Sequence, residues 1–257
     1  MLKRTDETLL LVAHGSSRPG GDNPVAMQAR HLKSLGLFGD VSCGFLKQAP
    51  FLSDVLNQIH TDKLTVVPML SGHGYITDTL IPEALAVLEG THNVRLCQPL
   101  GSHSGIADIM AERANSIITS QSLDPADVSI LVAAHGNTGN PENAVQARSL
   151  AGRIQAMTNG APTDAVFIEE EPFISNWPTM TTANNLIVLP YLIGGGLHGA
   201  EDVPEMLGLD ATDPAFDALS RNTPFIGPLS AHNRSIWCCR ALGFEPTIGD
   251  IILDLAG

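Results

Sequence analysis

Short apolar runs alternate with helical patterns along the first half of the chain. The runs are rich in valine and leucine and end at glycine, proline or polar residues, as is typical of buried strands. They cover residues 9–13, 41–46, 64–69 and 93–97. The segments between them have apolar residues at helical spacing, with proline near their starts and glycine near their ends. These segments are 23–36, 50–59 and 80–90. The alternation predicts an α/β fold in which helices cover a parallel sheet.

The second half of the chain repeats the first. LLLVAHGSS at 9–17 matches ILVAAHGNT at 130–138, and LTVVP at 64–68 matches LIVLP at 186–190. VAMQAR matches NAVQAR, GFLKQAPFLS matches VFIEEEPFIS, and PLGSH matches PLSAH, all in the same order. Only two copies are present, which indicates a duplicated domain rather than a solenoid.

We therefore predict two similar doubly wound parallel-sheet domains. The N-terminal repeat covers residues 1–125 and the C-terminal repeat covers residues 126–257, with the junction near 120–128.

Three polar stretches of the second repeat directly follow apolar strands. They are AHG, EEEP and GGGLHG, and they contain His135, Glu169–Glu171 and His198. Ligands of such sheets bind beyond the carboxyl ends of the strands, so these side chains are expected around one crevice. Imidazole and carboxylate suit a borderline divalent metal such as cobalt, nickel, iron or zinc. The chain has neither HExxH nor a close Cys/His pair, so we expect an open site that holds metal loosely.

Each of these stretches also has a purely structural interpretation. A histidine at the end of a strand, such as His14 or His135, is often hydrogen-bonded for stability alone. EEEP is also typical of a solvated helix start, where acids are favoured. His103 and His232, in PLGSH and PLSAH, are interpreted as capping or packing residues before a helix. His73 lies three residues before the position that corresponds to His198 and stays a candidate for the crevice.

The charge of the chain bears on its partners. The net charge is −13, with −3 in residues 1–125 and −10 in residues 126–257. Such a charge argues against nucleic acid and against anionic membrane surfaces as partners. The acidic half either concentrates a divalent cation or simply keeps the protein in solution. The four cysteines have no CxxC spacing, and no apolar stretch reaches the roughly 20 residues of a membrane span, so a cytoplasmic protein with buried thiols is expected.

The segments VAHGSSRP, VVPMLSGHGYITDTLIPEAL, FIEEEP, LPYLIGGGLHGAEDVPEML and PLGSH together resemble the class II tetrapyrrole chelatases. The resemblance is greatest to the sirohydrochlorin cobaltochelatases of cobalamin biosynthesis and covers nearly the whole chain. The pattern P-x-x-x-x-x-G-x-H-x-x-x-D-[IV]-P is unbroken from Pro190 to Pro204, whereas Ile76 and Leu80 replace its histidine and acid in the first repeat.

The resemblance implies two chelatase-fold domains facing each other across a cleft. It also implies that His135 and His198 bind the entering metal and that Glu169 is the catalytic glutamate beside them. The expected substrate-binding residues are His14, Arg18, Lys47, Gly195, Gly196, Glu171 and Asp202. The glycines would let a large flat ligand approach the backbone, and the two cations would offset its carboxylates.

The implied activity is insertion of a divalent metal, Co²⁺ first, into sirohydrochlorin or a related tetrapyrrole. The metal is then a substrate, and no permanently bound cofactor is expected. The alternatives are Fe²⁺ insertion for sirohaem, Ni²⁺ insertion, or a non-catalytic tetrapyrrole or metal carrier. The carrier is favoured by HGNTG, which stands where the family has HGS, and by Ile76. The chain is expected as a monomer or homodimer.

Overall fold

The strands and helices of the first repeat follow the predicted alternation in the computed structural model, which describes residues 3–15, 23–139, 141–194, 202–219 and 223–257. The strands are β1 (Arg4–Ala13), β2 (Phe38–Phe45), β3 (Lys63–Pro68) and β4 (Asn93–Leu96). The helices are α1 (Pro24–Ser34), α2 (Leu52–Leu56), α3 (Ile81–Leu85) and α4 (Gly105–Ser120). A short π-helix, Ile76–Leu80, leads directly into α3.

The second repeat has the same alternation and one additional strand. Its strands are β5 (Val128–Ala134), β6 (Thr163–Phe167), β7 (Asn185–Pro190), β8 (Phe225–Ala231) and β9 (Arg234–Cys239). Its helices are α5 (Glu142–Met157), α6 (Trp177–Met180), α7 (Val203–Met206), α8 (Ala215–Leu219) and α9 (Ile248–Ala256). No helix in the described ranges combines the length and the apolar character that a membrane crossing requires.

The strands form two sheets. The first has the order β2-β1-β3-β4 and is parallel throughout, and the second has the order β6-β5-β7-β9-β8. In the second sheet β8 alone pairs antiparallel, with β9. Leu9, Leu10 and Val12 of the central strand β1 are fully buried, as expected for a parallel strand covered on both faces. The prediction of an α/β fold is confirmed, with two sheets that are predominantly parallel.

The match of PLGSH with PLSAH is wrong. PLSAH lies on β8 and in the turn that follows it, where His232 has a φ of 51° and packs edge-on against Trp177 with ring centroids 5.4 Å apart. The segment Leu242–Phe244, rather than PLSAH, forms a 3₁₀ turn like that of Leu100–Ser102, and each turn precedes a long helix. His232 therefore precedes strand β9 and not a helix, and β8 has no counterpart among the described strands of the first repeat.

The compact units of the structure differ from the repeats of the sequence. Unit 1 contains Met1–His103 and Pro246–Gly257, and unit 2 contains Ser104–Glu245, whereas the predicted domains were 1–125 and 126–257. The difference arises because the last helix of each repeat packs in the other unit. Helix α4 contacts α5 and β7, and helix α9 contacts α1 and β3.

Polar contacts hold each exchanged helix in its unit. In unit 1 the guanidinium groups of Arg4 and Arg95 both donate to the carbonyl oxygen of Ala256, and His103 Nε2 lies 2.8 Å from Asp254 Oδ2. Cations at the carboxyl end of α9 are favoured by the helix dipole. In unit 2 the Arg113 guanidinium of α4 lies 2.6 Å from the buried carboxylate of Glu245.

Candidate functional site

Two neighbouring strands of unit 2 bring His135 and Glu169 together. Strands β5 and β6 run parallel with Ala134 paired to Phe167, so the loops that follow them leave the same edge of the sheet. The main-chain nitrogen of Glu169 donates to the carbonyl oxygen of His135 at 3.0 Å. The predicted convergence of the AHG and EEEP stretches is therefore present.

The His135 imidazole faces both a carbonyl and a carboxylate. Its Nδ1 lies 3.0 Å from Gly136 O and 3.5 Å from Glu169 Oε2. A carbonyl oxygen only accepts, so in the neutral ring Nδ1 carries the proton and Nε2 keeps the lone pair. The side chains of His135 and Glu169 are 43% and 54% exposed, which leaves both within reach of a ligand from solvent. An exposed pair of this kind contributes little to stability.

The three consecutive glutamates have different neighbours. Glu170 Oε1 accepts a 2.7 Å hydrogen bond from the main-chain nitrogen of Asn137 and so ties the two loops together. Glu171 Oε2 accepts a 2.7 Å hydrogen bond from the Asn176 side chain within its own loop. Glu169 is thus the glutamate whose carboxylate faces the imidazole.

Glycine at position 136 lets the loop close. Gly136 has a φ of 76°, a conformation that side chains with a Cβ rarely adopt. A Cβ there would lie 2.9 Å from Glu170 Cγ and 3.0 Å from Phe167 Cβ. The histidine loop and the glutamate loop approach each other closely only because that Cβ is missing.

The first repeat has the same backbone arrangement with different chemistry. His14 Nδ1 lies 3.0 Å from Gly15 O, and the main-chain nitrogen of Lys47 donates to His14 O at 2.9 Å. Gly15 has a φ of 83°, and a Cβ there would lie 2.8 Å from Gln48 Cγ. Lys47 and Gln48 therefore occupy the positions of Glu169 and Glu170, and this edge of unit 1 has a cation in place of the carboxylate.

The remaining predicted site residues have separate outcomes. His198, Gly195, Gly196 and Arg18 lie outside the described residues. Asp202 immediately precedes α7 and is partly exposed. In unit 1, Ile76 packs against the hydrophobic core around Val12 and Leu52.

Tyr191 was missed by the sequence analysis. It directly follows β7, is 3% exposed, and its main-chain nitrogen donates to Ala133 O at 2.7 Å. Burial raises the pKa of the Tyr191 phenol far above its ordinary value, against a smaller opposing effect of a hydrogen bond with Gln146. The phenol therefore stays protonated. The available signal was an aromatic residue at the end of an apolar run, three residues before the glycines that begin at Gly194.

The described residues at this edge do not form a complete set of metal ligands. Across the part of the chain that the structure describes, no three His, Cys, Asp or Glu side chains converge as a ligand set. His135 and Glu169 supply one nitrogen and one carboxylate oxygen within 3.5 Å of each other.

The chain was compared with protein families. The CbiX family model matches residues 8–117 and 129–256, once in each repeat. The chain belongs to the CbiX family. This membership confirms the resemblance to tetrapyrrole chelatases and, with it, the expectation of a chelatase, an enzyme of the lyase class.

Individual relatives agree with this assignment. A protein of Halobacterium salinarum named probable sirohydrochlorin cobaltochelatase is 27% identical over 273 residues, which cover 97% of this chain and 90% of that protein. A multi-domain Deinococcus radiodurans protein with structural similarity to chelatases is 26% identical, with a TM-score of 0.75. The match covers 98% of this chain but 55% of that protein, so this chain spans about half its length.

Two more distant structures share the fold. A CbiX described as the terminal enzyme of siroheme biosynthesis in denitrifying bacteria has a TM-score of 0.64 at 22% identity, over 97% of both chains. SirB of Bacillus subtilis with Fe³⁺ has a TM-score of 0.72 at 16% identity, over 97% of this chain and 94% of that one.

Proposed function

We propose that this CbiX-family protein inserts Co²⁺ into sirohydrochlorin. The observation that carries the proposal is the His135–Glu169 pair, in which an imidazole with its lone pair on Nε2 stands beside an exposed carboxylate at the carboxyl edge of the sheet. The name of the Halobacterium salinarum relative supports both the substrate and the metal.

Metal insertion requires two events that this pair is suited to perform. The cation must lose part of its hydration, which a nitrogen donor promotes by replacing water. The pyrrole N–H protons must also leave, which requires a base within hydrogen-bond reach. In the proposed mechanism His135 holds the cation through Nε2, with His198 assigned as its partner from the sequence, and the exposed Glu169 accepts the two pyrrole protons one after the other and releases each to solvent.

Loose retention of the metal is part of the proposal. Exposed donors such as His135 and Glu169 exchange ligands with water readily, whereas closed sites with four protein ligands retain their metal. A chelatase must release the cation to the macrocycle, so solvent-accessible donors suit transfer.

The preference for cobalt is the finer part of the proposal, since nitrogen and carboxylate donors accept Co²⁺, Fe²⁺ and Ni²⁺ alike. The relatives also include a CbiX of siroheme biosynthesis and SirB structures with iron and with cobalt. Iron insertion is therefore the nearest rival.

A metal panel tests the proposal. Purified protein is mixed with sirohydrochlorin and Co²⁺, Fe²⁺ or Ni²⁺ under anaerobic conditions, and the absorbance change of the macrocycle is followed against the same mixture without protein. We expect Co²⁺ insertion orders of magnitude faster than the uncatalysed rate. A higher kcat/KM for Fe²⁺ than for Co²⁺ would identify iron as the metal that the protein inserts. Tight binding of sirohydrochlorin without any acceleration would identify a carrier.

A further inference from the structure

The loop after β3 in unit 1 exposes a tyrosine. Tyr75 is 68% exposed, more than any other large hydrophobic side chain in the described ranges. A single exposed ring is common on protein surfaces, so the meaning of its exposure depends on the groups around it. Tyr75 also directly precedes the π-helix Ile76–Leu80, and π-helical turns are frequent at functional sites.

A hydrogen-bond network fixes the loop on both sides of this ring. His73 Nδ1 lies 3.1 Å from Asp78 Oδ1, which closes the loop across Tyr75. The buried Thr77 hydroxyl accepts from Gly74 N at 2.8 Å and lies 2.9 Å from Asp78 Oδ1. Desolvation raises the pKa of Asp78, but the bonds from His73 and Thr77 outweigh it and lower the pKa, so the carboxylate stays ionised. The loop is therefore braced around an exposed aromatic side chain.

The same edge of unit 1 also carries a lysine and a second histidine. Strand β1 lies between β2 and β3 in a parallel arrangement, so the loops with His14, Lys47 and Tyr75 leave the same side of the sheet. Leu46 and Ile76, the neighbours of Lys47 and Tyr75 in the chain, pack against the same hydrophobic core. Lys47 and His14 are exposed. An aromatic side chain, an ammonium group and an imidazole on one edge of a sheet are complementary to a flat ligand that carries carboxylates.

We infer that Tyr75 is a binding residue that stacks on the face of the tetrapyrrole, and that Asp78 and His73 position it. This inference rests on the proposed function for the identity of the ligand. It assigns unit 1 a role of its own in binding the macrocycle, although Ile76 and Leu80 stand where the second repeat has a histidine and an acid. Lys47 supplies a charge for the ligand carboxylates, and Tyr75 supplies the apolar contact.

Metal-free sirohydrochlorin is the probe, and its Kd for the full-length protein is measured by fluorescence titration. We expect Tyr75→Ala to raise Kd by about tenfold, the order of one lost stacking contact, and Tyr75→Phe to leave Kd within about twofold. The Tyr75→Ala factor should be the same at low and high salt, because stacking is not screened. Val87→Ala is the matched control, since Val87 is 65% exposed in the same unit. Val87→Ala is expected to bind like the wild type.

The role of Asp78 in positioning Tyr75 is tested by the Kd values of Asp78 variants. Asp78→Ala should raise Kd, and Asp78→Asn should rescue it, because the amide oxygen still accepts from His73 and Thr77. A Tyr75→Ala/Asp78→Ala double variant should bind no more weakly than Tyr75→Ala alone, since Asp78 acts through the ring. Unchanged Kd in Tyr75→Ala overturns the inference even if the wild type inserts metal. A wild type that binds the macrocycle through Tyr75 but inserts no metal overturns the proposed function alone, and no binding by the wild type overturns both.

Discussion

The main-chain nitrogen of Glu169 donates a 3.0 Å hydrogen bond to the carbonyl oxygen of His135, and this bond places the glutamate side chain beside the imidazole. Lys47 makes the corresponding 2.9 Å bond to His14 in the first repeat. The backbone arrangement of the two loops is thus common to both repeats. The two loops differ in the side chain that follows the strand. Glu169 gives the edge of unit 2 a carboxylate and Lys47 gives the edge of unit 1 an ammonium group, so the two edges can bind different ligands.

Removal of the His135–Glu169 pair should abolish metal insertion without unfolding the protein. We expect His135→Ala to lower kcat/KM at least about a hundredfold, and Glu169→Gln to lower kcat by about a hundredfold with little change in KM, since the amide cannot accept a proton. Both side chains are largely exposed, so the free energy of unfolding should change by less than about 0.5 kcal/mol.

The control for this pair is His60→Ala. His60 is exposed and precedes β3, so it lies at the amino ends of the strands of the first sheet and not at the carboxyl ends. Its rate should equal that of the wild type. If His135→Ala lost activity only together with its thermal unfolding transition, the histidine would be structural and the proposed site would be wrong.

The sequence predicted the elements of the fold more completely than their assignment to compact units. Val/Leu runs identified β1 to β3 because local patterns report burial, whereas β4 was located correctly but is mostly exposed and not the buried strand that was expected. The exchange of α4 and α9 was not predicted, because a helix with one apolar face carries no record of which sheet it covers. The antiparallel strand β8 was missed for a related reason: the similarity of PLSAH to PLGSH was a similarity of letters and not of structural position.

The candidate site was predicted in part. His135 and Glu169 could be paired because both directly follow parallel strands, and the sheet topology then determines their proximity. Glu169 was preferred over Glu170 and Glu171 only through the family resemblance, and the fold supplies the physical difference: the latter two bond to Asn137 and Asn176. The network around Tyr75 was also hidden, because it depends on the turn geometry of the π-helix.

Charge reversal at Lys47 should weaken binding of the macrocycle. We expect Lys47→Glu to raise KM for sirohydrochlorin several-fold while kcat changes by less than about twofold, since Lys47 supplies charge for the substrate carboxylates. Lys33→Glu is the control because Lys33 is an exposed lysine at the end of α1, in an ion pair with Asp40. Steady-state kinetics at low and high salt provide the measurement. A fall in kcat at constant KM would place Lys47 in the chemical step and contradict this assignment.

Glycine 136 should tolerate no side chain. Gly136→Ala strains a backbone with a φ of 76° and places a Cβ 2.9 Å from Glu170 Cγ, so we expect a loss of about 2 to 3 kcal/mol of stability and of most activity. Gly160→Ala separates backbone strain from crowding. Gly160 has a φ of 79° but no atom within 4 Å of the point that a Cβ would occupy. Gly160→Ala should cost only about 1 kcal/mol. Equal losses of unfolding free energy in urea for Gly136→Ala and Gly160→Ala would show that crowding around Gly136 is unimportant.

The free energy of unfolding should depend more on the buried Arg113–Glu245 ion pair of α4 than on the His103–Asp254 contact of α9. Glu245 is 5% exposed and lies 2.6 Å from Arg113, so Glu245→Ala leaves a largely buried guanidinium without its carboxylate and should cost about 3 kcal/mol. Asp254 is 76% exposed, and Asp254→Asn should cost less than about 1 kcal/mol despite the contact with His103. Thermal and urea unfolding compare the two variants. A larger loss for Asp254→Asn would contradict the ranking by burial.

The adjacent buried thiols should make stability fall at alkaline pH. Burial raises the pKa of Cys238 from 9.0 to about 12, and burial also raises that of Cys239. The folded state therefore keeps the protonated thiol where the unfolded chain has already ionised, so this contribution is present below pH 9 and is lost as the pH rises toward 12. Cys238→Ala should show a shallower decrease in the urea-unfolding free energy than the wild type between about pH 9 and 11. Parallel slopes would mean that ionisation of Cys238 does not oppose folding.

At about pH 8 a thiol reagent should reach Cys238 and Cys239 only after unfolding, because both the thiolate fraction and the access of the reagent are low in the folded protein.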